Sequence, residues 1–222
     1  MIELIDIIKE YRTNQGETVS ALKGINIHIK EGELVILRGS SGSGKSTILS
    51  IIAALSKPTS GEALVADERI SKLPDNFASD FRRQNIGFIF QKYNLISSLS
   101  VKENLILPLI PMNPDNDSVK EKISRVLNMF HIEHKKDQIV KNLSGGEQQR
   151  VAIARANIND PKIILADEPT ANLDEKLSLA FINILKELKN EGKTIIVATH
   201  DPLFFGLDIA DREIEIFQGE IL

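Results

Sequence analysis

Cysteine and tryptophan are both absent from this chain of 222 residues, and only 5% of the residues are aromatic. Without cysteine there are no disulfides, thiolate metal sites or cysteine nucleophiles, which fits a reducing compartment. A basic excess is also missing, because 27 Lys and Arg residues accompany 31 Asp and Glu residues and the net charge is −4. This balance argues against a nucleic-acid surface. We therefore expect no direct nucleic-acid partner.

Long apolar runs are missing as well. No run approaches the ~20 residues that a membrane-spanning helix needs, so we expect no direct insertion into a membrane. The first residues also lack the basic region and apolar stretch of a signal peptide. An apolar content of 42% still provides a sizeable core, and the length fits one large domain. If the protein acts at a membrane, a partner must span it.

A glycine-rich loop stands out among the features that are present. Its residues are Gly39, Ser40, Ser41, Gly42, Ser43, Gly44, Lys45, Ser46 and Thr47. They match the phosphate-loop pattern G-x-x-x-x-G-K-[ST], with an apolar run before them and a helix-like run after them. Glycines allow several backbone N–H groups to point at one anion, and the helix N-terminus adds positive potential. We predict a nucleoside triphosphate site, with Lys45 on the outer phosphates and Ser46 on magnesium; the alternative is a glycine-rich turn without a ligand.

Three short runs are apolar throughout, which is typical of strands buried in a parallel sheet between helices. They span residues 34–37, 163–166 and 194–198. Polar residues follow each run: the loop from Gly39, the pair Asp167 and Glu168, and the pair His200 and Asp201. The carboxyl ends of parallel strands meet at one edge of a sheet. We therefore expect the site at that edge.

The adjacent carboxylates have separate predicted roles. Magnesium takes oxygen ligands, so we assign Asp167 to the metal, directly or through water. Glu168 then orients or deprotonates an attacking water. The alternative is a solvated acidic turn in which Pro169 ends the strand.

A second glycine pair begins a predicted helix. Ser144 and Glu147 form a capping box around Gly145 and Gly146, and apolar residues follow at helical spacing. A capped helix with no further role is one interpretation. Two glycines in a first turn are costly unless something approaches closely, so we favour a helix end that faces an anion.

The remaining patterns predict the surrounding elements. Alternation from Ile2 to Ile29 indicates antiparallel strands, and alternation from Glu213 to Ile221 indicates a closing hairpin. A helical lobe is predicted at about residues 92–142, with a capping box at Ser118 and a proline-rich loop or boundary at Leu107–Asp117. By its own surroundings, Tyr11 is better explained as a core or edge-strand residue than as a base-stacking ring.

Six features together resemble the ATP-binding cassette (ABC) ATPases over essentially the whole chain. They are the phosphate loop, Gln91 after a strand-like run, Leu143-Ser144-Gly145-Gly146-Glu147-Gln148, Asp167-Glu168, Asn172-Leu173-Asp174, and His200. The resemblance implies an α/β fold: a RecA-like P-loop NTPase core with a mixed, mainly parallel sheet, an N-terminal antiparallel β subdomain and an inserted α-helical subdomain. It assigns residues 1–91 and 151–222 to the β subdomain and core, and residues 92–150 to the helical lobe.

The resemblance also implies roles for single residues and a second copy of the chain. Tyr11 stacks on adenine, Gln91 is a magnesium ligand that couples the metal site to the lobe, and His200 contacts the γ-phosphate and the attacking water. Lys45, Gln91, Glu168 and His200 form the catalytic set. Two nucleotides are sandwiched in a homodimer, each between the phosphate loop of one chain and the Ser144–Glu147 helix end of the other. Asp174 lies across that interface.

Softer features are similar to the branch that serves lipoprotein release and macrolide export. They are Tyr11 with residues 19–24, residues 86–91 with 94–96, and residues 101–104 with 107–109. One departure is Asn157, where the family commonly has an apolar residue. The implied function is an ATP-hydrolysing, magnesium-dependent subunit that docks through residues 91–103 on a separate permease, at the inner face of the cell membrane. The alternatives are a soluble ABC ATPase acting on nucleic acid or the ribosome, and a GTPase or kinase that shares only the phosphate loop.

Overall fold

The computed structural model describes residues 1–12, 16–171 and 173–222. The strands are β1 (Ile2–Arg12), β2 (Thr18–Ile29), β3 (Leu34–Arg38), β4 (Ser60–Val65), β5 (Glu68–Arg69), β6 (Ile86–Ile89), β7 (Ile163–Asp167), β8 (Thr194–Thr199), β9 (Arg212–Phe217) and β10 (Glu220–Ile221). The helices are α1 (Lys45–Ile52), α2 (Asp75–Asn85), α3 (Val101–Ile106), α4 (Asn116–Met129), α5 (Gly145–Asn157) and α6 (Glu175–Asn190).

The larger sheet has the strand order β10-β9-β3-β8-β7-β6. Its five strands from β9 to β6 are parallel to their neighbours, and β10 pairs antiparallel with β9 at the edge. The three apolar runs form β3, β7 and β8, and their apolar residues are buried. The predicted parallel strands and closing hairpin are therefore confirmed.

The smaller sheet is antiparallel, with the order β2-β1-β4-β5. Ile2 pairs with Ile29 of β2 on one side and with Val65 of β4 on the other, which confirms the predicted antiparallel strands. Buried residues of this sheet pack in one cluster with Ile48 and Leu49 of α1 and with β3. Helix α1 therefore lies in the core that joins the two sheets, directly after the phosphate loop.

The opposite face of the larger sheet packs against α3, α4, α5 and α6 in a second cluster. Phe130 at the end of α4, Val151 of α5 and Leu185 of α6 are fully or almost fully buried there. Helix α5 runs without interruption across the predicted boundary between residues 150 and 151. The helices of the predicted lobe thus share apolar packing with the sheet that carries the site.

Two local predictions in the middle of the chain are wrong: a loop through Leu107–Asp117 and a helix start at Ser118. The proline-rich stretch forms a 3₁₀ helix at Leu107–Met112. Pro108 lies in its first turn, where a backbone N–H group has no partner within the helix and proline is therefore tolerated. Helix α4 begins before Ser118, because the Asp115 carboxylate accepts hydrogen bonds from the backbone N–H groups of Asp117 and Ser118. An earlier cap starts the helix nearly one turn sooner than the predicted capping box.

Over the described ranges, no helix is both long enough and apolar enough to cross a membrane.

Candidate functional site

The phosphate loop connects β3 to α1 in a backbone conformation that needs glycine. Gly39 has φ 151° and Gly44 has φ 112°. A Cβ on Gly39 would collide with the Ile216 carbonyl oxygen, and one on Gly44 would lie 2.9 Å from the Ala21 carbonyl oxygen. The loop is therefore fixed by close packing against β9 and β2, which holds its N–H groups in place.

The N-terminus of α1, directly after the loop, presents backbone N–H groups that suit an anion. Helix α1 starts at Lys45 with Gly44 as its N-cap, and no side chain caps its first N–H groups. Ser43 is 3% exposed, and its Oγ is a buried polar atom without a hydrogen-bond partner within the described part of the chain. Uncapped N–H donors at a helix N-terminus attract anions. The loop thus fits a phosphate group.

Lys45 lies at the inner end of this loop and is only 4% exposed. Its Nζ donates to the carbonyl oxygens of Gly39 at 2.7 Å and Ser40 at 3.0 Å. It also lies 3.5 Å from Oε1 of Glu168. A buried ammonium group is stable only with such partners. Lys45 therefore adds fixed positive charge beside the loop N–H groups.

Ser46 and Asp167 bring a hydroxyl and a carboxylate together. Ser46 Oγ donates to Asp167 Oδ1 at 2.8 Å. Burial raises the pKa of Asp167 above its ordinary value, the Ser46 hydrogen bond opposes that shift, and nearby Glu168 adds to it. Hydroxyl and carboxylate oxygens are suitable magnesium ligands. Within the described ranges no group of three or more His, Cys, Asp or Glu side chains could hold a metal.

Glu168 and His200 form a second polar pair beside the loop. The His200 Nδ1 and the Glu168 Oε1 are 2.9 Å apart, and the His200 backbone N–H donates to Glu168 Oε2 at 3.3 Å. Glu168 has φ 45°, an uncommon conformation for a residue with a side chain. Its N–H donates to the Ala198 carbonyl oxygen at 2.8 Å, which fixes the carboxylate at the end of β7. The pair can orient a water at the outer phosphate.

A cavity of about 220 Å³ joins most of the predicted residues. It is lined by Ala21, Ser41, Gly42, Ser43, Gly44, Lys45, Ser46, Thr47, Gln91, Glu168 and His200. Gln91 thus lies beside the phosphate loop, at the end of the parallel sheet where the sequence predicts the site. Gly39 and Ser40 line an adjoining cavity with His200.

The glycine pair begins α5 and does not line this cavity. Ser144 and Glu147 form the predicted capping box, in which Glu147 Oε2 accepts from the Ser144 N–H at 2.8 Å. The Ser144 N–H and the Lys135 ammonium, 3.0 Å from Glu147 Oε1, lower the pKa of Glu147. Gly145 is exposed with open space around it, whereas a Cβ on Gly146 would lie 2.7 Å from Leu177 Cδ2. The close approach predicted for Gly146 therefore has a cause within the same chain.

Two further predicted residues also lie apart from the cavity. Tyr11 lies near the end of β1, is 44% exposed and has the Lys9 ammonium 4.9 Å from its ring centroid. Of the core and edge-strand positions predicted for it, the core is therefore wrong, and within the described ranges the strand at Tyr11 pairs with β2 alone. Asp174 caps α6, accepting from the Leu177 N–H at 2.8 Å. Residues 13–15 and Asn172 lie outside the described residues.

The structure adds two polar residues that the sequence analysis missed, Gln149 and Thr170. Gln149 Nε2 donates to the Pro169 carbonyl oxygen at 3.0 Å, directly after Glu168. Thr170 Oγ1 donates to Asp201 Oδ2 at 2.8 Å, directly after His200. These contacts join segments 20 and 31 positions apart, so no local pattern reveals them. For Thr170 the available signal was its position just past a buried strand, the same signal that pointed to Asp201.

A phosphate loop, a hydroxyl–carboxylate pair and a carboxylate–histidine pair at the carboxyl ends of parallel strands define a P-loop nucleoside triphosphatase. The ABC transporter family model matches residues 22–171, and the chain belongs to that family as an ATP-binding, ATP-hydrolysing subunit. The resemblance found in the sequence motifs is thereby confirmed.

The individual relatives agree with this assignment. The uncharacterized ABC transporter ATP-binding protein MJ1508 of Methanocaldococcus jannaschii is 43% identical over 100% of this chain and 98% of its own length. The macrolide export ATP-binding/permease protein MacB of Campylobacter jejuni is 43% identical over 97% of this chain, which spans only 33% of MacB. The dimeric structure of the ABC transporter cassette MJ0796, from M. jannaschii, has a TM-score of 0.90 and 42% identity, covering 100% of this chain and 96% of that one. The predicted fold class and branch are therefore confirmed.

Proposed function

We propose that this subunit powers export or mechanical work through a separate membrane-spanning partner, by ATP-driven closure of a homodimer. The observation that carries the proposal is the separation of two anion-binding features. The loop cavity contains Lys45, Glu168 and His200, whereas the exposed helix end at Ser144 and Gly145 lies outside it. A helix N-terminus binds anions only within its first turn. A second copy of the chain supplies the missing wall of each site.

Within each site the residues have separate tasks. Lys45 and the loop N–H groups bind the phosphates, and Tyr11 stacks on the adenine. Ser46, Asp167 and Gln91 would hold magnesium, which neutralises phosphate charge when it is bound. Glu168 orients the attacking water and takes its proton, while His200 fixes the Glu168 carboxylate through the 2.9 Å contact. Asp174 would face the other copy across the interface.

The relatives support this arrangement. The MJ0796 cassette has been seen as a dimer, and also as a dimeric post-hydrolysis state bound to ADP and Pi. MacB is named as a combined ATP-binding and permease protein, and this chain corresponds to about a third of it. A permease on a separate chain would complete the transporter, and this subunit would then lie on the cytoplasmic, inner face of the cell membrane.

A groove beside the predicted helical lobe suits the docking of that permease. Its volume is about 460 Å³, and the stacked rings of Phe88 and Phe90 line it, with centroids 4.3 Å apart. Pro108 and Arg155 border it, and Ile110 nearby in the chain is 60% exposed. Exposed apolar surface with a polar rim is typical of protein interfaces. This groove adjoins residues 91–103, and residues of both the lobe at 92–150 and the core line it in the division we propose.

The test of the proposal is Glu168→Gln, which keeps the shape of the side chain but removes the base. We expect ATP hydrolysis to fall by at least about a hundredfold, within the range for removal of a general base. The same variant with ATP should double in mass by light scattering, because the closed pair cannot hydrolyse its nucleotides and reopen.

Glu175→Gln, an exposed carboxylate outside the cavity, is the matched control and should leave the rate unchanged. Hydrolysis at the wild-type rate by Glu168→Gln would show that another group handles the water. A single-chain mass in ATP would contradict the paired site.

A further inference from the structure

Three hydrogen bonds hold the turn that carries Glu168, two to β8 and the residues just after it and one to α5. Glu168 itself hydrogen-bonds to β8 through the Ala198 carbonyl oxygen at 2.8 Å. Thr170 is 4% exposed and donates to Asp201 at 2.8 Å. The third tie, from Gln149 of α5, reaches the Pro169 carbonyl oxygen. A non-glycine residue at φ 45° stays in that conformation only when its surroundings fix it.

The Gln149 contact is buried and specific. Gln149 is 4% exposed, and Pro169 is also buried. Its Nε2 lies 3.0 Å from the Pro169 carbonyl oxygen, within the normal range for a hydrogen bond. A buried carbonyl group that loses its donor is strongly destabilised where it stands, so the turn would move to find another.

A second contact links the same two parts of the chain. Gly146, less than one turn before Gln149, packs against Leu177 of α6, which follows the Glu168 turn in sequence. The exposed end of α5 therefore contacts, at two points, the segment that runs from the end of β7 into the first turn of α6. A packed contact and a directional hydrogen bond thus connect the helix end to the turn.

We propose that Gln149 is a positioning residue: it holds the Glu168 carboxylate of its own chain in the orientation needed for hydrolysis. The proposal rests on the function above, in which Glu168 orients water and the α5 end faces the nucleotide of the other copy. Gln149 then connects the two sites of the pair. The helix end that meets one nucleotide fixes the carboxylate that acts on the other.

The first experiment replaces the amide with an apolar side chain of equal length, Gln149→Met. We expect kcat to fall by about ten- to a hundredfold with KM for ATP within about twofold, because small misplacements of catalytic groups have effects of that size. Asn157→Leu is the matched control. Asn157 is another buried amide of α5, but it donates to Ile153 of its own helix at 2.9 Å.

Asn157→Leu should leave kcat unchanged. Gln149→Asn, which keeps an amide that is too short to reach Pro169, should behave like Gln149→Met. Thermal unfolding shows whether each Gln149 variant is folded. If either variant is folded and retains the wild-type kcat, the proposal is overturned.

Mixed pairs separate an effect on Glu168 from an effect on the helix end. One mixture combines wild type with an excess of chains carrying both Gln149→Met and Glu168→Gln. Its only competent Glu168 belongs to an intact wild-type chain, so its rate should equal that of wild type with the same excess of Glu168→Gln. A lower rate would mean that Gln149 acts through the helix end, which contradicts the proposal.

The second mixture places the two substitutions on different chains, Gln149→Met with excess Glu168→Gln. Here the only Glu168 belongs to a chain that lacks the Gln149–Pro169 hydrogen bond. Relative to wild type with the same excess of Glu168→Gln, the rate should therefore fall by the same factor as kcat falls in Gln149→Met alone. Wild-type-like hydrolysis in this mixture would overturn the proposal. If Glu168→Gln does not form pairs in ATP, the proposed homodimer is contradicted. The kcat of Gln149→Met would still test the proposed role of the Gln149–Pro169 hydrogen bond.

Discussion

At the scale of the residue, Gly146 has a structural reason to lack a side chain. A Cβ there would lie 2.7 Å from Cδ2 and 3.1 Å from Cδ1 of Leu177, both in the same chain. Gly145 has no such neighbour within 4 Å. The two glycines therefore differ: Gly146 allows two helices to pack, and Gly145 leaves the helix end open.

Gly146→Ala tests this difference. We expect a loss of about 1–3 kcal/mol in the free energy of unfolding, because the added methyl group overpacks the contact. Leu177→Ala removes the obstructing atoms, so the double variant should recover about 1 kcal/mol relative to the sum of the single variants. Urea unfolding of the four chains measures the coupling. Strictly additive losses would show that Leu177 is not what excludes a side chain.

Individual side chains were predictable where a motif ties residue type to chemistry. Lys45, Ser46, Asp167 and Glu168 follow from the phosphate loop and from the ends of buried strands. Gln149 did not follow, because its partner is a backbone carbonyl group in another segment and any residue could supply one. Such contacts depend on tertiary packing, which leaves no periodic pattern in the sequence.

At the scale of the element, the start of α5 combines a cap with a charge. The Glu147 carboxylate accepts from the Ser144 N–H and lies 3.0 Å from the Lys135 ammonium. A negative charge in the first turn also suits the positive end of the helix. These interactions favour the ionised form and lower the pKa of Glu147 from its ordinary value of 4.5.

Glu147→Gln keeps the capping geometry but removes the charge. A carboxylate whose pKa is lowered on folding stabilises the protein above its ordinary pKa, and this stability is lost as the pH falls through the lowered value. We expect the variant to be less stable at pH 7 by a few tenths to about 1 kcal/mol. Thermal unfolding across pH checks this. The difference in stability between the wild type and Glu147→Gln should disappear as the pH falls below 4.5. A difference that stays constant with pH would mean that the charge of Glu147 is not its source.

The elements were predictable where one interaction dominates. Burial on both faces makes β3, β7 and β8 continuously apolar, and burial on one face makes β1 and β2 alternate. Boundaries set by competing caps were harder. Asp115 and Ser118 both suit a helix start, and the earlier carboxylate takes that role because it reaches two N–H groups.

At the scale of the whole molecule, the two apolar clusters lie on opposite faces of the parallel sheet. One cluster joins the sheet to α1 and the antiparallel strands. The other joins it to α3, α4, α5 and α6, and α5 carries Ser144 and Gly145 at its start. The loop cavity and the helix end are thus fixed features of one chain. Because they lie apart, the function we propose assigns them to two different sites, each completed by a second copy of the chain.

Gly145→Asp separates these halves. Gly145 is exposed, has open space around it and does not need a positive φ, so an aspartate fits at the first position of α5. A carboxylate there favours the helix but repels a phosphate. We expect normal thermal stability and ATP binding by single chains, but hydrolysis reduced by at least about tenfold. Gly145→Ala, the uncharged control, should remain active.

The most direct test of the paired site is to mix Gly145→Asp chains with Lys45→Ala chains. Each variant alone has one defective wall in both of its sites and should be nearly inactive. A mixed pair places the intact loop and Glu168 of the Gly145→Asp chain against the intact helix end of the Lys45→Ala chain. Equal mixing should therefore restore ATP hydrolysis to roughly a quarter of the wild-type rate, since half of the pairs are mixed and each has one working site. A mixture no more active than the sum of its components would contradict the account.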